Sequence, residues 1–127
     1  MGHPLIDRLT HELGWSSLST EDEVLAFISR PGAHALFVPG DVERNLETPD
    51  VAVIVPELVA AFQGRFDCAI VVDEMHGMVK NASGINKTPS LIFYRDGVCL
   101  GGIPKVRDWD DYIARITRFL DLPIAAE

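Results

Sequence analysis

The side chains in this 127-residue sequence that could do covalent chemistry are few and badly spaced for it. Cys68 and Cys99 are the two thiols, and neither belongs to a Cys-x-x-Cys pair or a Cys/His set with zinc spacing. His3, His11, His34 and His76 are scattered without ligand spacing, and no stretch has the form of a cofactor-binding motif. The residues therefore give no metal signal and no sign of a cofactor site. Carboxylates are the exception. Asp41, Glu43, Glu47 and Asp50 crowd one short stretch, and Asp73 and Glu74 close an apolar run. Clustered carboxylates pair with arginine, which they can hold through two parallel hydrogen bonds. The chemistry on offer is recognition of a basic segment, against the plainer alternative of a solvated acidic loop.

Composition narrows the partners. Eleven basic residues against nineteen acidic ones give a formal charge of -8, which disfavours nucleic acid and anionic lipid because both are bound through Lys and Arg clusters. The apolar fraction of 47% is that of a globular chain, and no apolar run approaches the ~20 residues that span a bilayer, so membrane insertion is not expected. Met1-Gly2-His3-Pro4 lacks the basic-then-apolar profile of a secretory signal, so the expected compartment is the cytoplasm. The length suits a single domain over 1–127.

The elements that must position the acidic residues follow from periodicity. Leu5, Ile6, Leu9 and Leu13 recur at helical steps, which predicts a short helix over Pro4–Leu13 within an N-terminal extension, 1–14. Trp15–Leu18 fits an edge strand. Thr20 and Glu23 form a capping box before Val24, Leu25, Phe27 and Ile28, and Pro31-Gly32 ends that helix. His34–Val38 and Ala69–Val72 are nearly all apolar, the mark of strands covered on both faces. Between them a polar loop over Pro39–Glu47 leads to a helix from Asp50 to Gly64, with Pro56 expected to kink it. A polar stretch with His76, Asn81, Ser83 and Gly84 precedes a strand over Ser90–Tyr94. Arg95-Asp96-Gly97 turns into Val98–Leu100 as a hairpin, interrupted by Gly101-Gly102. Asp108 caps a last helix whose apolar face is Trp109, Tyr112, Ile113, Ile116, Phe119 and Leu120, with Trp109 and Phe119 expected in the core. A strand–helix–strand unit followed by a hairpin predicts an α/β fold with a mixed central sheet and helices on both faces.

Residues 82–97, Ala-Ser-Gly-Ile-Asn-Lys-Thr-Pro-Ser-Leu-Ile-Phe-Tyr-Arg-Asp-Gly, closely resemble the second half of the thioredoxin superfamily, and the kinking Pro56 fits as well. The resemblance covers roughly 15–122 and implies a cis bond at Thr88-Pro89. It also implies that the redox pair should end five residues before the kinking proline, where this chain has Thr48-Pro49-Asp50-Val51. Exchange of a disulfide needs an attacking thiolate and a resolving thiol, and none of these four residues supplies either. In the family's strand order two strands separate Cys68 from Cys99, a span of ~14 Å against the ~7 Å limit for a bridge. Each is then expected to be a small buried hydrophobe.

A thioredoxin-like chain of this size without the dithiol, bearing an acidic loop, is similar to the HyaE/HupG hydrogenase-expression proteins. That resemblance implies a non-catalytic chaperone of nickel–iron hydrogenase maturation that holds the twin-arginine signal peptide of the small-subunit precursor before export. Other hydrogenase accessory proteins are possible further partners. The implied peptide-binding set is Asp41, Glu43, Glu47, Thr48, Pro49, Asp50, Asp73, Glu74, Lys87, Thr88 and Pro89. Asp73 and Glu74 should share a rim with the acidic loop. Lys87 and Thr88 hold the place where thioredoxins pair with extended peptides by β-augmentation. The alternatives are a thioredoxin-fold scaffold in another assembly and a residual single-cysteine oxidoreductase or glutathione binder.

Overall fold

The computed structural model describes residues 4–41 and 43–121. Five helices, α1 (Pro4–His11), α2 (Glu21–Ser29), α3 (Thr48–Ala61), α4 (His76–Ser83) and α5 (Trp109–Asp121), flank five strands, β1 (Ser17–Leu18), β2 (Ala33–Val38), β3 (Phe66–Val71), β4 (Ser90–Arg95) and β5 (Val98–Pro104). The strands form one mixed sheet in the order β1-β3-β2-β4-β5. β3 runs parallel to both β1 and β2, while β4 is antiparallel to β2 and β5. This is the α/β, thioredoxin-like arrangement the sequence predicts.

Two apolar layers hold it. On one face Ala35, Phe37, Ile70, Leu91 and Phe93 pack with Leu9 of α1, Val55 and Leu58 of α3, and Tyr112 and Ile116 of α5. On the other, Leu36, Val38, Ala69, Val71, Ile92 and Tyr94 meet Val24, Phe27 and Ile28 of α2 and Val79 of α4. Residues 35–38 are at most 1% exposed, so β2 is buried on both sides. The Thr20 cap is present: its hydroxyl accepts from the Glu23 amide at 3.1 Å.

Several boundaries differ from the periodicity. α3 starts at Thr48, two residues earlier than the apolar pattern, because Pro49 suits a first helical turn whose amides are unpaired in any case. Pro56 is accommodated inside that helix. β3 begins at Phe66, and its exposed Asp67 pairs with Arg30 and with the buried His34, which masks the apolar run there. The polar stretch after Glu74 is a helix, α4, closed by Gly84 at φ 78°; its one buried residue, Val79, leaves almost no periodic signal. Trp109 is 44% exposed and Leu25 43%, so neither is core. Cys99 is also exposed, on edge strand β5, while Cys68 is buried.

β5 continues through Gly101-Gly102 rather than stopping there, since each glycine meets a close neighbour. A Cβ on Gly101 (φ +142°) would lie 2.6 Å from the Phe119 ring, and one on Gly102 would lie 2.9 Å from Ile85. Gly101→Ala should therefore lower the unfolding free energy by about 1–3 kcal/mol in urea denaturation. Gly77, inside α4 with open space where a Cβ would go, is the opposite case. Gly77→Ala should stabilise by about 0.5–1 kcal/mol in the same measurement.

Candidate functional site

The chain leaves β2 through Pro39 and Gly40, and the polar segment that follows is tied down at several points. The Thr48 hydroxyl, 0% exposed, donates to the Pro39 carbonyl at 2.6 Å. Asp41 organises the turn: its Oδ1 accepts from the Glu43 amide at 2.9 Å, and its carbonyl accepts from the Arg44 and Asn45 amides. The Asn45 side chain donates to the same carbonyl at 2.8 Å and accepts from the Thr88 hydroxyl at 3.1 Å. Glu47 reaches out of the loop, its Oε1 accepting from the Val106 amide at 2.7 Å. Gly40, at φ +76°, lies so close to Thr88 that a Cβ would be 2.6 Å from the Thr88 hydroxyl.

The Thr88-Pro89 bond is cis. Pro89 is buried, and its carbonyl accepts from the Lys105 amide at 2.7 Å. The Thr88 amide and carbonyl make no backbone hydrogen bond among the described residues. One short edge of main chain beside the acidic loop is thus open, with Lys87 exposed next to it.

These contacts sort the residues singled out in the sequence. Asp41, Glu43 and Asp73 line one groove at the carboxyl ends of β2 and β3, so the loop and the β3 end do share a rim. Asp73 and Glu74 are not in the strand itself; they open a 3-10 turn, Asp73–Met75. Asp50 and Glu74 are exposed and do not line that groove. Glu47 is half-buried with one oxygen given to Val106, and Thr48 is wholly internal, so these two serve the architecture of the loop. Pro49 is half-buried in the first turn of α3. Two residues went unnoticed in the sequence: Asn45, which bridges the loop to Thr88, and Asp7 of α1, which lines the same groove. The spacing of Asp41 and Asn45 was a usable signal for a side-chain-closed turn. For Asp7 no local signal exists.

Electrostatics argue against thiol chemistry. Burial pushes the Cys68 thiol far above its ordinary value, helped by the neighbouring Asp67 carboxylate. Cys99 borders an apolar slot with Leu25, Met78 and Tyr94, and partial desolvation there raises its thiol as well. Neither is poised as a thiolate at neutral pH. Among the described residues no group of three or more His, Cys, Asp or Glu is placed to hold a metal ion.

Sheet order, cis-proline and the helix that follows β2 define a thioredoxin-like protein with Thr48–Val51 in place of the dithiol. A thioredoxin from Halobacterium salinarum superposes with a TM-score of 0.65 over 86% of this chain and 95% of its own, at 17% identity, a likeness of fold alone. The family described as Hydrogenase-1 expression protein HyaE matches residues 5–112, and the chain belongs to that family. It is 56% identical to the hydrogenase expression/formation protein HupG of Rhodobacter capsulatus, over 93% of this chain and 86% of that protein. The crystal structure of a HupG protein from Rhodopseudomonas palustris shares 35% identity and a TM-score of 0.59, covering 85% of this chain and 99% of its own.

Two outcomes follow from the loop contacts. Glu47→Ala leaves the Val106 amide without its charged acceptor and should cost about 1.5–3 kcal/mol, whereas Glu47→Gln, which keeps an acceptor, should cost less; denaturant titration of both variants decides it. His76, with its side chain 14% exposed and Nε2 3.4 Å from Asp73, is held below its ordinary 6.5 by burial, against the upward pull of Asp73 and the Val71 carbonyl. The unfolded chain then binds this proton more readily than the folded one. Stability should fall as pH drops below 6.5, and the fall should be shallower in His76→Gln, read from thermal melts at a series of pH values.

Proposed function

We propose that this protein is a non-catalytic, cytoplasmic chaperone of hydrogenase maturation that holds the twin-arginine signal peptide of the small-subunit precursor before export. The carrying observation is membership of a hydrogenase-expression family in a chain whose dithiol position is Thr48-Pro49-Asp50-Val51. Where a thioredoxin has its nucleophile, this chain has a buried hydroxyl bonded to the Pro39 carbonyl. What is left at that end of the molecule is suited to binding: exposed carboxylates on a pinned loop, and an open main-chain edge at Thr88 beside them. Arginine is matched to such carboxylates by charge and by its planar fork of donors. Among the described residues no helix is long and apolar enough to cross a membrane.

The test is a titration of labelled twin-arginine signal peptide with the full chain at two ionic strengths. Affinity should fall as salt rises, since exposed charges are screened beyond about 8–10 Å near physiological ionic strength. The salt dependence should shrink when both peptide arginines are replaced by alanine. A Cys68→Ala, Cys99→Ser variant should support hydrogenase maturation as well as the parent does. Loss of maturation by this variant while it remains folded, or salt-independent peptide binding, would count against the proposal.

A further inference from the structure

α1 packs against α3 through the wholly buried Leu9 and turns its other flank toward the carboxyl ends of β2 and β3. Between helix and strand ends lies a groove of about 690 Å³. This falls within the roughly 300–1,000 Å³ of clefts that hold small ligands, which is room for a few side chains and not for a folded partner. Ile6, Pro39 and Val72 give it apolar walls. Its rim carries Asp7 from α1, Asp41 and Glu43 from the loop, and Asp73 from the turn after β3. Four carboxylates from three separate elements thus surround one apolar channel.

Their charges are weakly compensated. Arg44 is 3.7 Å from Asp41, with an 87% exposed side chain that solvent screens. His76 stands beside Asp73, but burial favours its neutral form. Asp7 and Glu43 have no ion-pair partner among the described residues. His11 is the other titratable group lining the groove. A second copy of this chain, at net charge -8, would be repelled by such a rim. The occupant that satisfies walls and rim together is an extended segment with adjacent cationic side chains followed by apolar ones.

We propose that this α1 groove seats the paired arginines and the first apolar residues of the bound segment. The inference rests on the peptide-binding reading above and moves its centre from the Thr88 edge to a wall that α1 supplies. Gly40 joins the two places, lining the groove while packing against Thr88. The guanidinium fork makes arginine the better fit than lysine for carboxylates presented from several directions.

The experiment titrates a synthetic twin-arginine peptide carrying its apolar segment into the parent and two double variants of equal charge change. Asp7→Lys with Glu43→Lys reverses the groove rim; Asp22→Lys with Glu57→Lys makes the same reversal at exposed sites outside it. Circular dichroism checks that each remains folded. The groove pair should weaken binding by about tenfold and the outside pair by less than about twofold, because only the groove reversals replace an attraction to the arginines by a repulsion. Replacing both peptide arginines by lysine should also weaken binding. In nuclear magnetic resonance spectra of the parent, amide shifts on adding peptide should centre on Ile6, Asp7, Val72 and Asp73. Equal losses for the two variants, or shifts centred on Lys87 and Thr88, would overturn the groove and leave peptide binding standing. A parent that binds no peptide would overturn both.

Discussion

Much of this molecule hangs on one internal hydrogen bond, from the Thr48 hydroxyl to the Pro39 carbonyl at 2.6 Å. Both residues are buried, so either group left alone would carry a desolvation penalty of about 1–3 kcal/mol. The bond closes the loop between β2 and α3 and fixes where α3 begins. With its ends joined, the loop can be held over the cis-proline segment by Asn45 and against the approach to α5 by Glu47. A threonine that occupies the place of a redox cysteine has become a structural residue.

That exchange explains how a thioredoxin-like scaffold can serve without its chemistry. The family's reactive position lies at the start of a helix, where amides and the helix dipole favour an anion. Here the first turn of α3 presents Thr48 inward, Pro49 half-buried and Asp50 outward. An exposed carboxylate at a helix N-terminus is electrostatically comfortable and chemically inert. Of the two remaining thiols, Cys68 lies midway along β3 and Cys99 on edge strand β5, and both are pushed toward their protonated forms. What the scaffold retains is a rigid end with open backbone at Thr88 and carboxylates held by loop geometry.

The fold was largely legible in the residues. Apolar runs over 34–38, 69–71 and 90–94 lie in the central strands, with Val72 just past the end of β3, because a segment covered on both faces must be apolar at nearly every position. α4 was not legible, since a helix with one buried residue has no apolar stripe for periodicity to find. Trp109 and Cys99 misled for the converse reason. Helical spacing and strand membership say which side a residue faces, but not how far its neighbours extend to cover it.

The sequence by itself determined that no dithiol stands at the place a thioredoxin needs one, since folding can rearrange residues but cannot supply a missing sulfur. It also determined that Asp41, Glu43, Glu47 and Asp50 crowd the short stretch between one strand and the next helix, which makes that stretch acidic whatever its path. Only the tertiary structure decided how those carboxylates divide. Glu47 meets the Val106 amide 59 positions away, while Asp41 and Glu43 share a groove with Asp73 at the ends of parallel strands and with Asp7 of α1. Such partners are chosen by the packing of whole elements around a shared core, whereas sequence patterns report only the burial of each element's own faces.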